Sequence, residues 1–282
     1  MAFSLEPVTP ALGAVVHGVD LSKKLDNSTF SGIWDAFNKH SVLVFPDQHI
    51  TPEQHIAFSS RFGELMEHVL REDLLEGHPE IYIISNKKKP DGGRLGRPEA
   101  GWYWHTDLSY ENTPSVASHM YALEVPSSGG DTMFASSAAA YDGLSEPMKK
   151  LVDGLTAEHD FRHAYDTFIK PRGGAPISDA VFEARPPVVH PMVRTHPDTG
   201  RRSLYVNEGF TRKIMGMHRD ESRALLDFLY RHSTRSEYVL RHRWSQYDFV
   251  MWDNRGTQHC ALGDYNEDRL MYRTTMAGDI IE

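Results

Sequence analysis

A single cysteine, Cys260, in 282 residues excludes an intrachain disulfide, and a reducing, cytoplasmic compartment is the expectation that follows. Long apolar runs are missing too. No stretch reaches the ~20 residues of a membrane span, and Met1 to Gly13 lack the basic-then-apolar layout of a secretory signal. Positive charge is in deficit: 30 Lys and Arg stand against 39 Asp and Glu, a formal net charge of −9. Nucleic-acid binding needs clustered cations against phosphates, so that partner is not expected. The one basic run, Lys87–Lys89, leads into Pro90-Asp91-Gly92-Gly93 and reads as solvated loop. Repeats, low-complexity tracts and linker-like stretches are absent as well. One domain over 1–282 is therefore predicted, long enough to bury a core without covalent staples.

What is present is a succession of short elements. Strands are expected at Leu12–Val19, Ser41–Phe45, Ile81–Ser85, 104–108 and 117–125. Ser28 is placed to cap a helix carrying Phe30, Ile33, Trp34 and Phe37 at helical spacing. Thr51-Pro52-Glu53-Gln54 matches a capping box with proline at the first helical position. A helical patch at 136–154 precedes a segment at 162–187 with little periodicity and several Pro and Gly residues. A hairpin at 188–207, an amphipathic helix at 219–233 and strands at 237–244, 247–252 and 269–277 complete the chain. Many short strands without βαβ alternation predict a mainly β fold, a sheet sandwich or barrel with flanking helices.

Chemistry concentrates in two places. In Trp102-Tyr103-Trp104-His105-Thr106-Asp107, extended backbone puts His105 and Asp107 on one face, where an imidazole and a carboxylate can share one ion. A third ligand would complete a two-histidine, one-carboxylate face with open positions opposite, an arrangement that suits non-haem iron better than structural zinc. The pattern alone is weak: His196-Pro-Asp198 and His218-Arg-Asp220 repeat it, the first in a turn and the second at a helix start where Asp220 can cap. The second concentration runs from Asp248 to His259 and continues in Arg269–Met276. As a strand, the latter places Arg269, Met271, Arg273 and Thr275 on one face. Buried arginines there are unfavourable unless each meets an anion.

The motifs WHTD, GGDT at Gly129–Thr132, WDNRGTQH and RLMYR, taken in order, resemble the taurine dioxygenase and 2,4-dichlorophenoxyacetate dioxygenase family. The similarity extends to LGAVVHGVDL, SVLVFPDQHITPEQHIAFSSRFGEL and LYVNEGFT, nearly the whole chain. It implies a double-stranded β-helix (jelly roll) core and Fe(II) held by His105, Asp107 and His259. It further implies 2-oxoglutarate as co-substrate, with Arg269 pairing with its distal carboxylate and Thr132 assisting, and O2 as oxidant, with succinate and CO2 released. Arg273 matches the arginine that in taurine dioxygenase binds the substrate sulfonate. His68 aligns with a histidine that assists it, and Phe210 with a substrate-packing phenylalanine.

Arg273 lies roughly 13 Å along the strand from Arg269, too far to share one five-carbon diacid, so a small anionic substrate, carboxylate or sulfonate, is expected; the alternative is that Arg273 pairs with an internal acid. Three departures argue against taurine itself: Gly101 replaces an asparagine, Arg71 a substrate-facing tyrosine, and Glu208 is an extra residue in the turn before Phe210. The aromatic stretch Trp102–Trp104 could admit a larger substrate. The segment at about 163–187 is expected to be an active-site lid, and a homo-oligomer, dimer or tetramer, is expected from the family. Competing readings are a jelly-roll metal hydrolase or isomerase, and a non-catalytic binding module of the same fold. Cys260 is read as a packed thiol, and His159, His163 and His190 as ordinary residues.

Overall fold

The apolar strands are apolar throughout because both of their faces are covered. In the computed structural model, which describes residues 3–99, 101–278 and 281, eight strands form one sheet. Their order is Ser4–Pro7, Ala14–His17, Val42–Phe45, Phe249–Asp253, Ala117–Glu124, Leu270–Thr275, His78–Ser85, Leu74–Leu75. Within it Val42 and Val44 pair with Trp252 and Val250 and join one core, while Leu43 and Phe45, paired with Met251 and Phe249, join another. The first core lies against a three-stranded sheet ordered Val239–His242, Thr132–Ser136, Thr257–Ala261, whose Phe134 and Leu240 enter it. The second lies under helices Asn27–His40 and Pro52–Ser59, which contribute Ile33, Phe37 and Phe58. Two sheets face to face with helices outside form the jelly-roll core, mainly β with flanking helices.

Local signals explain most boundaries. Thr51 and Gln54 form the expected capping box of helix Pro52–Ser59. The earlier helix begins at Asn27, and its cap is Asp26, not Ser28: the Asp26 carboxylate accepts from Thr29 N at 2.8 Å. Helix Arg219–Ser233 is capped by His218, whose amide donates to Glu221 at 3.1 Å; Asp220 lies inside its first turn rather than at the cap. Strands Thr156–His159 and Thr211–Ile214 carried no expectation, being too short for their alternation to register. Among the described residues no helix is long and apolar enough to cross a membrane.

Two further expectations need correction. No strand forms over 104–108. His105 makes one bridge with His259, and the chain then turns, with Leu108 at φ 56°. The segment 162–187 is not featureless: it holds helical turns at Phe161–Ala164, Tyr165–Ile169, Lys170–Arg172 and Asp179–Glu183. Phe161, Ala164, Ile169 and Phe182 bury themselves against Tyr103 and Phe210. They are spread over separate short turns, at separations of 3, 5 and 13 residues, so no continuous helical period marks them in the sequence.

Candidate active site

His259 lies in strand Thr257–Ala261, and two backbone hydrogen bonds of 2.9 and 2.8 Å tie His105 to it. Their rings stand side by side, centroids 4.1 Å apart. Asp107 completes the group: one donor atom from each of the three buried residues lies within 4.8 Å of the others. His105 Nε2 is 3.6 Å from Asp107 Oδ1, and His259 Nε2 is 3.8 Å from Asp107 Oδ2. The His105 Nδ1 sits 2.9 Å from the Tyr103 carbonyl. A carbonyl only accepts, so Nδ1 carries the proton and the Nε2 lone pair faces the group.

The carboxylate is oriented from behind. Ser118 Oγ donates to Asp107 Oδ2 at 2.7 Å, Asn254 Nδ2 donates to Ser118 Oγ at 3.1 Å, and Trp252 Nε1 donates to Asn254 Oδ1 at 3.1 Å. Burial alone would raise the Asp107 carboxyl, but Arg273 and the two imidazoles outweigh it and hold the group well below the usual range. Burial, reinforced by His105 and Arg273, pushes His259 well below 6.5. A neutral imidazole and an ionised carboxylate are what metal ligation requires. The donor set is two nitrogens and a carboxylate with no thiolate, and it fits a divalent iron with open positions rather than a closed structural zinc. The other two His-x-Asp copies are structural. His196 Nε2 meets Asp253 at 2.8 Å and Asp198 accepts from Arg255 at 2.6 Å, while His218 is the helix cap.

A cavity opens on two members of the triad: His105 and Asp107 line it together with Arg273, His68 and Phe210, while His259 does not. Arg273 does meet an internal acid, since its Nη1 donates to Asp107 Oδ1 at 3.1 Å; its buried Nε has no partner. His68 stacks on Tyr82 at 4.0 Å, and its Nδ1 accepts from Leu70 N at 3.2 Å, which leaves the ring proton on Nε2 as a donor. Phe210 is edge-on to the His105 ring at 5.8 Å. The other walls are mostly apolar and aromatic, with Tyr103, Tyr110, Phe161, Ile169 and Ile177. Arg97 is also on the wall, 2% exposed, and nothing in its sequence neighbourhood marked it.

Arg269 and Thr132 lie outside that lining. Arg269 is 3% exposed, and its Nε and the hydroxyl of neighbouring Tyr265 are both buried without partners. Burial pushes the Arg269 pKa down, an effect that Tyr265 and Asp131 partly offset. Gly130, at φ +70°, leaves room there; a Cβ would come within 3.4 Å of Arg269 Nε. Thr132 Oγ1 accepts from Trp244 Nε1 at 3.0 Å, and its own proton has no acceptor among the described residues. An orphaned guanidinium edge calls for an anion.

The departures resolve differently. Arg71 points outward to Glu67 at 3.2 Å, its side chain 79% exposed, and takes no part in the cavity. Glu208 faces a groove beside helix Arg219–Ser233, and burial raises its carboxyl. Gly101 matters most: its φ is +80°, and a Cβ there would stand 2.7 Å from His105 Cε1. Cys260 is buried, with its thiol pushed up to about 12 by burial. His159 and His190 are buried among ordinary hydrogen bonds to Ser109 Oγ and the Glu111 carbonyl.

Comparison with known proteins agrees with this geometry. A family profile described as "Taurine catabolism dioxygenase TauD, TfdA family" matches residues 4–275. The chain is 32% identical to an alpha-ketoglutarate-dependent sulfate ester dioxygenase of Pseudomonas putida, covering 99% of this chain and 91% of the relative. It is 33% identical to the alpha-ketoglutarate-dependent 2,4-dichlorophenoxyacetate dioxygenase of Cupriavidus pinatubonensis, covering 100% of both. The crystal structure of a taurine dioxygenase from Burkholderia xenovorans superposes with a TM-score of 0.84 at 37% identity, covering 100% of this chain and 91% of the other.

Proposed function

The chain belongs to the TauD/TfdA dioxygenase family, and from that premise we propose that it hydroxylates a C–H bond of a small carboxylate, sulfonate or sulfate ester, with His105, Asp107 and His259 as its Fe(II) ligands. Enzymes of this family are 2-oxoglutarate-dependent dioxygenases using Fe(II) and O2, and this chain is one of them. Bound iron supplies the oxidising power by which 2-oxoglutarate and O2 become succinate and CO2 while one oxygen atom enters the substrate. The observation that carries the reading is the buried triad, two of whose members, His105 and Asp107, line a cavity whose wall also holds Arg273.

The chain's own residues divide the remaining work. Arg269, with the Thr132 hydroxyl, grips the distal carboxylate of 2-oxoglutarate; the unpartnered Nε and free hydroxyl proton support that role. Arg273 and the His68 Nε2–H orient the substrate anion, and Arg273 is held at the iron face by its bond to Asp107. Phe210 and Tyr103 pack the substrate body. The segment 163–187, whose Ile169 and Ile177 reach the cavity, excludes water as a lid. The relatives named for sulfate esters and phenoxyacetates support an anion joined to a larger apolar body than taurine offers.

Two measurements test this. Anaerobic Fe(II) with 2-oxoglutarate gives a visible charge-transfer band when both chelate together, and a metal hydrolase or a binding module gives none. Candidate acids are then compared with their neutral amides for substrate-dependent succinate, in wild type and Arg273→Gln. Equal turnover of acid and amide, or a change confined to the 2-oxoglutarate constant in the variant, removes Arg273 from the substrate site.

A further inference from the structure

We propose that Arg97 and Glu99 are positioning residues that clasp the segment 163–187 shut over the metal cavity by holding the backbone of Ala175 from both sides. The inference rests on the lid reading given above. Arg97 Nη1 donates to the Ala175 carbonyl at 3.1 Å, and the Ala175 amide donates to Glu99 Oε1 at 3.0 Å. Both polar atoms of one backbone residue are thus satisfied by two side chains that are themselves 3.7 Å apart. Arg97 is anchored in turn, its Nε donating to Asp73 Oδ2 at 3.1 Å, with both groups buried. Gly174 permits the approach: a Cβ there would meet Ile169 Cγ2 at 2.3 Å and Glu99 Cγ at 3.2 Å.

The clasp is also a partition. Arg97 lines the metal cavity, whereas Glu99 and Ala175 line an outer cleft that also carries Lys88 and Arg94, the latter paired with Glu72 and Asp73. The grip falls where residues 174–178 adopt no regular structure, held otherwise by the Gly174 amide donating to the Ile169 carbonyl at 3.0 Å and by the packing of Ile177. The remaining contacts of the segment with the loop leading to His105 are of another kind: Phe168 stacks on Tyr103 at 4.9 Å, and Arg172 Nη1 donates to the Trp102 carbonyl at 3.2 Å. Rings can slide, and Arg172 is exposed. The Ala175 pair is part-buried and charge-assisted, and breaking it requires both side chains to let go; at the far end of the segment Arg185 adds an ion pair to Glu111 at 2.9 Å.

Hydrogen exchange of the substrate-free protein tests the clasp. Glu99→Ala removes the acceptor of the Ala175 amide, and exchange over 170–177 is expected to accelerate by about tenfold or more, as for the loss of one charge-assisted hydrogen bond. Strand 270–275 should keep its wild-type rate. Glu99→Gln retains an acceptor oxygen and is expected to restore most of the protection. In turnover, Glu99→Ala should consume more 2-oxoglutarate per substrate oxidised, a leak that Glu99→Gln reduces. Unchanged exchange in Glu99→Ala, or equal acceleration in both variants, overturns the proposal. If Glu99→Ala loosens the core strands as well, Arg97→Lys replaces it: an ammonium keeps the charge beside Asp73 but cannot span to Ala175, and the same local acceleration must appear or the proposal falls. The lid reading fails separately, if wild-type 163–187 exchanges as slowly as the core strands with and without substrate. A mobile segment indifferent to the variants refutes the clasp alone.

Discussion

Gly101→Ala isolates one residue's contribution to the metal centre. The backbone at Gly101 has φ +80°, and a Cβ would stand 2.7 Å from His105 Cε1, some tenths of an ångström inside ordinary contact. The imidazole has nowhere to retreat. Its Nδ1 is held by the Tyr103 carbonyl at 2.9 Å, and its backbone is paired with His259 on both sides. The left-handed conformation costs an L-residue about 1–2 kcal/mol, and the contact adds to it, so a total near 2 kcal/mol is expected. For a chain of this size that lowers Tm by about 3–4 °C. The sharper effect is on the ion: a ligand ring tilted out of place weakens divalent metal binding by about 10- to 100-fold, as displaced supporting contacts do elsewhere. Calorimetry gives the first quantity and anaerobic Fe(II) or Mn(II) titration the second. A variant that melts with wild type and binds metal equally tightly would show that the ring is not confined as the structure has it.

His105→Ala, Asp107→Ala and His259→Ala should each abolish metal-dependent succinate formation while circular dichroism stays that of wild type; full activity in any one removes that residue from the ligand set. Arg269→Ala should raise the KM for 2-oxoglutarate by roughly 30- to 1000-fold, the loss of a bidentate charged contact, and an unchanged constant denies it the anchor role. Acid should destabilise the protein earlier than its carboxylates alone require. Burial depresses His55 and His159 to about 3, so both are neutral when folded. Unfolded, they take protons near pH 6.5; their contribution is complete above that value and declines by about 1.4 kcal/mol per pH unit for each group below it. Tm should be level from about pH 8 to 6.5 and fall toward pH 5, and a level profile to pH 5 contradicts the buried neutral pair.

The sequence by itself determined whatever depends on near neighbours and on the kinds of side chain present. The Thr51 capping box, the helix over 219–233 and the doubly apolar strands Val42–Phe45 and Phe249–Asp253 follow from spacings of two to four residues, which the backbone's own periodicity reads out. The candidate set His105, Asp107 and His259 came from the resemblance of its motifs, in order along the chain, to those of the dioxygenase family; spacing alone left His105-Thr-Asp107 as one of three His-x-Asp copies. Tertiary structure alone decided which distant groups meet. His105 and Asp107 converge with His259 through one bridge and a turn rather than through the alternation of a strand. Arg273 faces Asp107, 166 residues away, so that a strand arginine read as a substrate anchor is a counter-ion of the Asp107 carboxylate. Arg97 entered the cavity wall and Arg71 left it, although both are arginines in polar surroundings. Local sequence carries the propensity to turn or to extend, but which charge becomes buried is settled by the desolvation and pairing of residues far apart in the chain, and that balance exists only once the two sheets and the segment over them have packed.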